Sequence, residues 1–163
     1  MEYISSDTNI WLDFNAISRI DFPFRLPFTY IMFKEALRKE IVNPPELIDN
    51  LLQRGLIGVE LAIDEFMYAE ELGRKYVKLS GYDRIALSIA KIRKIPLLTG
   101  DDPLRKAAIK EQVETFGTIG LLDRLYNNEH ITKVEYQYCL ENFIKHTERR
   151  LPIDELQKRL DSL

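Results

Sequence analysis

Asp83-Arg84-Ile85-Ala86-Leu87-Ser88-Ile89-Ala90-Lys91-Ile92-Arg93-Lys94-Ile95-Pro96-Leu97-Leu98-Thr99-Gly100-Asp101-Asp102-Pro103 is the stretch from which the fold is read. Apolar residues at Ile85, Ala86, Ile89, Ala90 and Ile92 form one buried stripe of a helix running from Asp83 to Lys94. Pro96-Leu97-Leu98-Thr99 reads as a short apolar strand. Pro103 suits the first turn of the next helix, with Asp101 or Asp102 as its cap, and that helix extends to about Gln112. Val113-Glu114-Thr115-Phe116 then predicts a last strand. Helices alternating with strands in this way predict a parallel sheet covered on both faces.

The same alternation continues upstream. Tyr3-Ile4-Ser5-Ser6 reads as a buried first strand ending at Asp7-Thr8-Asn9, with a helix starting near Ile10. The two prolines of Asp21 to Pro27 mark a loop, and Thr29-Tyr30-Ile31-Met32-Phe33 is β-branched and aromatic enough for a second strand. A short helix follows from Lys34 to Ile41. Another runs from Pro45 to Arg54 and stops at Gly55. Leu56 to Leu61 predicts a third strand and Asp64 to Val77 a further helix. Downstream of the quoted stretch the pattern is helical: Ile119 to Tyr126, Lys133 to Thr147 and Ile153 to Leu160. The expected architecture is an α/β/α sandwich with a central, mostly parallel sheet and a helical C-terminal extension. It is expected as a single domain over 1–163, with an α/β core over 1–126 and C-terminal helices over 127–163.

Composition is that of an ordinary globular domain: 163 residues, 45% hydrophobic and 30% charged, enough to bury a substantial core. No window is apolar for long enough to span a bilayer, and the start Met1-Glu2-Tyr3-Ile4 lacks a basic region followed by an apolar stretch. The lone Cys139 cannot make an internal disulfide and lies in an apolar helical pattern. A cytoplasmic location is expected. The net charge of −3 counts against indiscriminate polyanion binding. However, Arg84, Lys91, Arg93, Lys94, Arg105, Lys106 and Lys110 are opposed over that span only by Asp101 and Asp102. A site that binds both metal and phosphate requires such a basic stretch with a few acids, although a solvated helix face accounts for the charges equally simply.

In an open α/β sheet, ligands bind beyond the carboxyl ends of the strands. Asp7 falls there after the first strand and Asp101 after Leu97-Leu98-Thr99, each beside a hydroxyl residue, Thr8 and Thr99. Asp83 opens the helix before the Leu97 strand, and Glu40 lies in the helix after the second strand, with Glu35 as its rival. Four carboxylates so distributed suit Mg²⁺ or Mn²⁺, which prefer oxygen donors, whereas two His and one Cys are too few for an ordinary zinc site. Such a cluster supports phosphodiester hydrolysis by metal-activated water. Each acid also has a plain structural explanation. Asp7 and Asp83 suit a helix cap or first turn, Asp101 and Asp102 compete for one cap, and Glu40 could be a surface residue.

The run Leu79 to Lys91 followed by Ile95 to Ala108 resembles the second half of a PIN domain, in which an aspartate opening a helix precedes a strand ending in T-G-D-x-x-L-R. Asp83, Ala90, Thr99, Gly100, Asp101, Leu104 and Arg105 carry that match, with Leu87 in place of an expected alanine. Ile4-Ser5-Ser6-Asp7-Thr8-Asn9 is similar to the family's opening strand. Gly117 to Leu122, Arg149 to Pro152 and Glu155 resemble a bacterial subgroup. The resemblance implies a divalent-metal ribonuclease in which Asp7, Glu40, Asp83 and Asp101 are catalytic. Asp7, Asp83, Asp101 and the additional Asp102 would ligate the metal, with Thr8, Thr99 and Arg105 in support. Many relatives are VapC-like toxins that cleave RNA and are silenced by an antitoxin, and many work as dimers. An RNA substrate, an antitoxin and a homodimer are therefore the implied partners, with no role for a membrane.

Two other readings compete. One is a non-catalytic PIN-like module that binds RNA or protein. The other is a different Mg²⁺-dependent phosphohydrolase, such as a haloacid-dehalogenase-like phosphatase, but Asp7-Thr8-Asn9 lacks the D-x-D nucleophile pattern that chemistry uses.

Overall fold

A computed structural model of the chain describes residues 2–163, so Met1, the first residue of the expected domain, lies outside the described residues. The five strands are β1 (Glu2–Ser6), β2 (Phe28–Phe33), β3 (Ile57–Val59), β4 (Leu97–Leu98) and β5 (Thr115–Phe116). All pair in parallel, in the order β3-β2-β1-β4-β5. The helices between them are α1 (Thr8–Ala16), α2 (Lys34–Glu40), α3 (Leu47–Arg54), α4 (Ile63–Lys75), α5 (Gly81–Arg93) and α6 (Asp102–Lys110). After β5 come α7 (Thr118–Asn127), α8 (Lys133–Lys145) and α9 (Ile153–Asp161). The expected α/β architecture is therefore present, and its sheet is entirely parallel.

Several boundaries differ from the sequence reading for local reasons. The Asp21–Pro27 segment is not irregular: Phe22–Arg25 forms a 3₁₀ turn, with Pro23 accepted in its opening positions. The third strand is three residues rather than six, because the chain leaves it to start α4 at Ile63, where Glu65 accepts a hydrogen bond from the Ala62 N–H (2.9 Å). Helix α5 starts at Gly81, two residues before Asp83, because Ser80 caps it. Gly55, at φ 118°, ends α3 in the left-handed conformation that favours glycine.

Period-two alternation divides the interior in two. Leu98 joins a large core with Ile4, Trp11, Tyr30 and Met32. Leu97 joins a smaller one with Leu72, Leu87, Leu104 and Ala107, drawn from α4, α5 and α6. The C-terminal helices are not an appendage, since Cys139, Leu140 and Phe143 of α8 and Leu156 of α9 are fully buried in the large core. Among the described residues no helix is long and apolar enough to cross a membrane. The outermost strands, β3 and β5, offer only three and two residues of backbone.

Candidate active site

The strand order changes direction between β1 and β4, whose register sets Ser5 beside Leu97 and Ser6 beside Leu98. At this switch point, connections leave to opposite sides and open a crevice beyond the strand ends. The next residues on each strand are Asp7 and, on the other, Thr99-Gly100-Asp101. The Asp7 N–H still reaches the Leu98 carbonyl (2.9 Å), so the two ends stay side by side.

Thr99 links the two aspartates. Its buried hydroxyl donates to Asp7 Oδ2 (2.9 Å) and accepts from the Asp101 N–H (3.1 Å). Thr8 does the same one residue further on, donating to Glu40 Oε1 (2.7 Å). Glu35 instead pairs with Lys39 (3.0 Å) on the exposed side of α2. Asp83 completes the group from α5 and interacts electrostatically with both Asp7 and Asp101.

The competition between cap and ligand resolves differently at each acid. Asp7 occupies the cap position of α1, but its side chain makes no capping bond, so capping does not account for it. Asp83 takes part in a reciprocal cap: its Oδ2 accepts from the Ser80 N–H (3.1 Å), and its own N–H donates to Ser80 Oγ (3.2 Å). Asp101, not Asp102, caps α6, through the Leu104 N–H to Oδ2 (3.0 Å). Asp102 lies on the exposed first turn of α6 and pairs with Lys106 (3.1 Å). Each capping bond uses one carboxylate oxygen and leaves the second available, so capping and metal ligation are compatible at Asp83 and Asp101. Arg105 is exposed on α6, where its backbone N–H reaches the Asp101 carbonyl (2.9 Å).

Burial pushes the Asp7 carboxyl up to about 7. The Thr99 hydroxyl opposes this, and repulsion from Asp83 and Glu40 adds to it. Burial also raises Asp83, against the two bonds from Ser80, with Asp101 contributing repulsion. Burial, with repulsion among the acids as a lesser cause, thus disfavours the charged carboxylates, and a cation at the site would favour them. Below the acids, a narrow cleft lined by Ser6, Asp7, Thr8, Glu40 and Tyr82 has room for about one water-sized species. Hard oxygen donors suit Mg²⁺ or Mn²⁺. Of the acids only Asp7 and Glu40 line the cleft, and among the described residues no three of His, Cys, Asp and Glu are close enough to hold an ion.

Two features beside the site were not anticipated. Tyr82 precedes Asp83 and lines the cleft, with its ring against Phe33 (centroids 6.3 Å apart). Asp13, buried on α1, accepts from Thr118 (2.6 Å) and from Arg149 Nε (2.7 Å), and Arg149 also reaches the Asn9 carbonyl (3.3 Å). An aspartate within the apolar run Ile10 to Phe14 was the available signal for this network.

A family model described as a PIN domain matches residues 3–163, almost the whole chain. No curated protein and no solved structure matches.

Proposed function

The chain belongs to the PIN-domain family, whose members are generally nucleases, and on that premise we propose that it is a divalent-metal-dependent endoribonuclease. The observation that carries the proposal is the meeting of Asp7 and Asp101 at the switch point of the sheet, with Thr99 bonded to both. In this reading Asp7, Asp83 and Asp101 hold the ion, with Glu40 directed by Thr8. Bound Mg²⁺ or Mn²⁺ supplies charge neutralisation and an acidified water for attack on the phosphodiester. Thr99 fixes the Asp7 carboxylate by donating to Oδ2. The Ser80 and Leu104 N–H groups do the same for Asp83 and Asp101. Asp102 is left to the helix surface and Arg105 to the approach of the RNA backbone.

The test is Mn²⁺-dependent cleavage of single-stranded RNA by the wild type and Asp101→Asn. Asparagine caps a helix as well as aspartate does, so the substitution removes the charge and keeps the cap. Cleavage should fall by at least about a hundredfold, beyond the loss typical of an outer partner of a metal ligand, with the melting temperature unchanged. Cleavage equal to wild type would sink the assignment. The open arrangement of the acids favours one second reading, a PIN module that binds without cutting. In that case Mn²⁺ binding would be absent and unaffected by Asp83→Asn. We further propose that the nuclease is the toxin of a toxin–antitoxin pair in the cytoplasm. A small adjacent reading frame whose product suppresses the RNA cleavage is the expected finding.

A further inference from the structure

The connection between α4 and α5 and one side of α6, from Asp102 to Lys110, line a groove of about 360 Å³, a size that takes a nucleobase. Leu79 and Ala107 are buried at its floor, and Pro103 and Val77 line it, Val77 being 85% exposed. The ring of Tyr76 is anchored there by its hydroxyl, which donates to Glu111 Oε2 (2.5 Å). Lys78, Lys106 and Lys110 surround this apolar surface against Asp102 alone among its lining residues; Lys106 pairs with Asp102 (3.1 Å), so Lys78 and Lys110 make up the surplus of two positive charges. The groove adjoins the acid site on both sides. Leu79 is followed by Ser80, the residue that caps α5 and holds Asp83, and Asp102 and Pro103 follow Asp101 directly.

An apolar platform ringed by lysines is complementary to single-stranded nucleic acid, whose bases need a surface to lie on and whose phosphates need cations. A water-filled anion site would not need Val77, and an apolar ligand would not need three lysines. We propose that this groove is a nucleotide subsite for the RNA leaving the acid site: one base lies against Val77, Leu79 and Pro103, and adjoining phosphates lie on Lys78, Lys106 and Lys110. The proposal rests on the nuclease reading and adds to it a direction for the strand, past Asp101 and onto α6.

The experiment compares wild type with Lys78→Ala/Lys110→Ala on a single-stranded oligonucleotide of about a dozen residues and on a dinucleotide, with Mn²⁺, over a range of salt. The double variant should raise KM for the oligonucleotide about tenfold, the loss falling on KM rather than kcat, with a much smaller change for the dinucleotide. The salt dependence of log KM should fall by about 1.4, that is about 0.7 for each lost contact with a single strand. Lys133→Ala/Lys158→Ala, on α8 and α9, makes the same change of net charge away from the groove and should leave KM unaltered. Cleavage with unchanged KM and salt slope, or an equal loss in the α8/α9 variant, overturns the groove while the nuclease reading stands. No binding and no cleavage of RNA by the wild type overturns the nuclease reading and the groove with it.

Discussion

Asp7 carries a tension between folding and ligand binding. Its carboxyl titrates near 7 in the folded chain without a cation, against about 3.9 when exposed in the unfolded chain. A carboxyl raised in this way favours the folded state below the unfolded value, and that contribution is lost as pH rises towards 7. The chelated protein should therefore lose stability between about pH 4 and pH 7. Asp7→Asn, which keeps an acceptor for Thr99, should remove that loss. At pH 8 with chelator the variant should be more stable by about 2 kcal/mol, a discounted fraction of the full shift. Urea melts at pH 5 and pH 8 check this, and a variant less stable than wild type at pH 8 would contradict it. The same reasoning explains how far single residues were legible. Asp101 stood out because a cap position, a strand end and a family pattern coincide there. Only as caps could Asp101 and Asp102 not be told apart from sequence, because either can cap α6 and the Leu104 N–H decides between them.

At the scale of elements, α4 and α6 are tied by one carboxylate. Glu111 ends α6 and accepts hydrogen bonds from the hydroxyls of Tyr68 and Tyr76 and from Lys75 Nζ (3.1 Å). Burial raises its carboxyl, but the two tyrosines and Lys75 outweigh this and hold it at about 2. The sign is opposite to that of Asp7: a depressed carboxyl stabilises above the unfolded value, and the contribution is lost as pH falls from about 4.5 to about 2. With Lys75 about half exposed, a discounted value of about 2 kcal/mol is expected. Glu111→Gln should be less stable than wild type by that amount at pH 6, and the gap should narrow to about half by pH 3 and close only as pH nears 2, measured by denaturant unfolding. None of this was legible beforehand, since Tyr68 and Glu111 are 43 residues apart. By contrast, the α5–β4–α6 order was legible because its information is local: a helical stripe, a short apolar run and a proline at the start of a helix.

At the scale of the whole molecule, Arg149 is bonded to Asn9 and Asp13, so the segment after α8 is fastened to α1. Asp13 is 3% exposed and its burial raises its carboxyl, against Thr118 and Arg149. Removing the guanidinium leaves that charge buried with one hydroxyl. Arg149→Met should cost about 3 kcal/mol, the low end for breaking a buried pair, and the added Asp13→Asn should recover most of it. A double variant no more stable than Arg149→Met would show that the ion pair is not what fastens the segment. The sequence reading set the C-terminal helices outside the α/β core as an extension. The helical spacing of Leu140 and Phe143 is enough to expect a buried face, and both are buried in the large core; what spacing does not name is the partner surface.

The short outer strands have a consequence for self-association. An open sheet recruits further chains through unpaired backbone at its margins, and a long, flat, apolar margin is what templates fibrils. Here β3 exposes three residues and β5 two. The chain also passes directly from β3 into Glu60, which pairs with Lys34 (3.3 Å), a charged pair at the end of that margin. Two copies of this protein therefore have too little strand to extend one another's sheet. Concentrated solutions should stay free of cross-β aggregates as long as the fold is intact, with no rise in thioflavin fluorescence on standing.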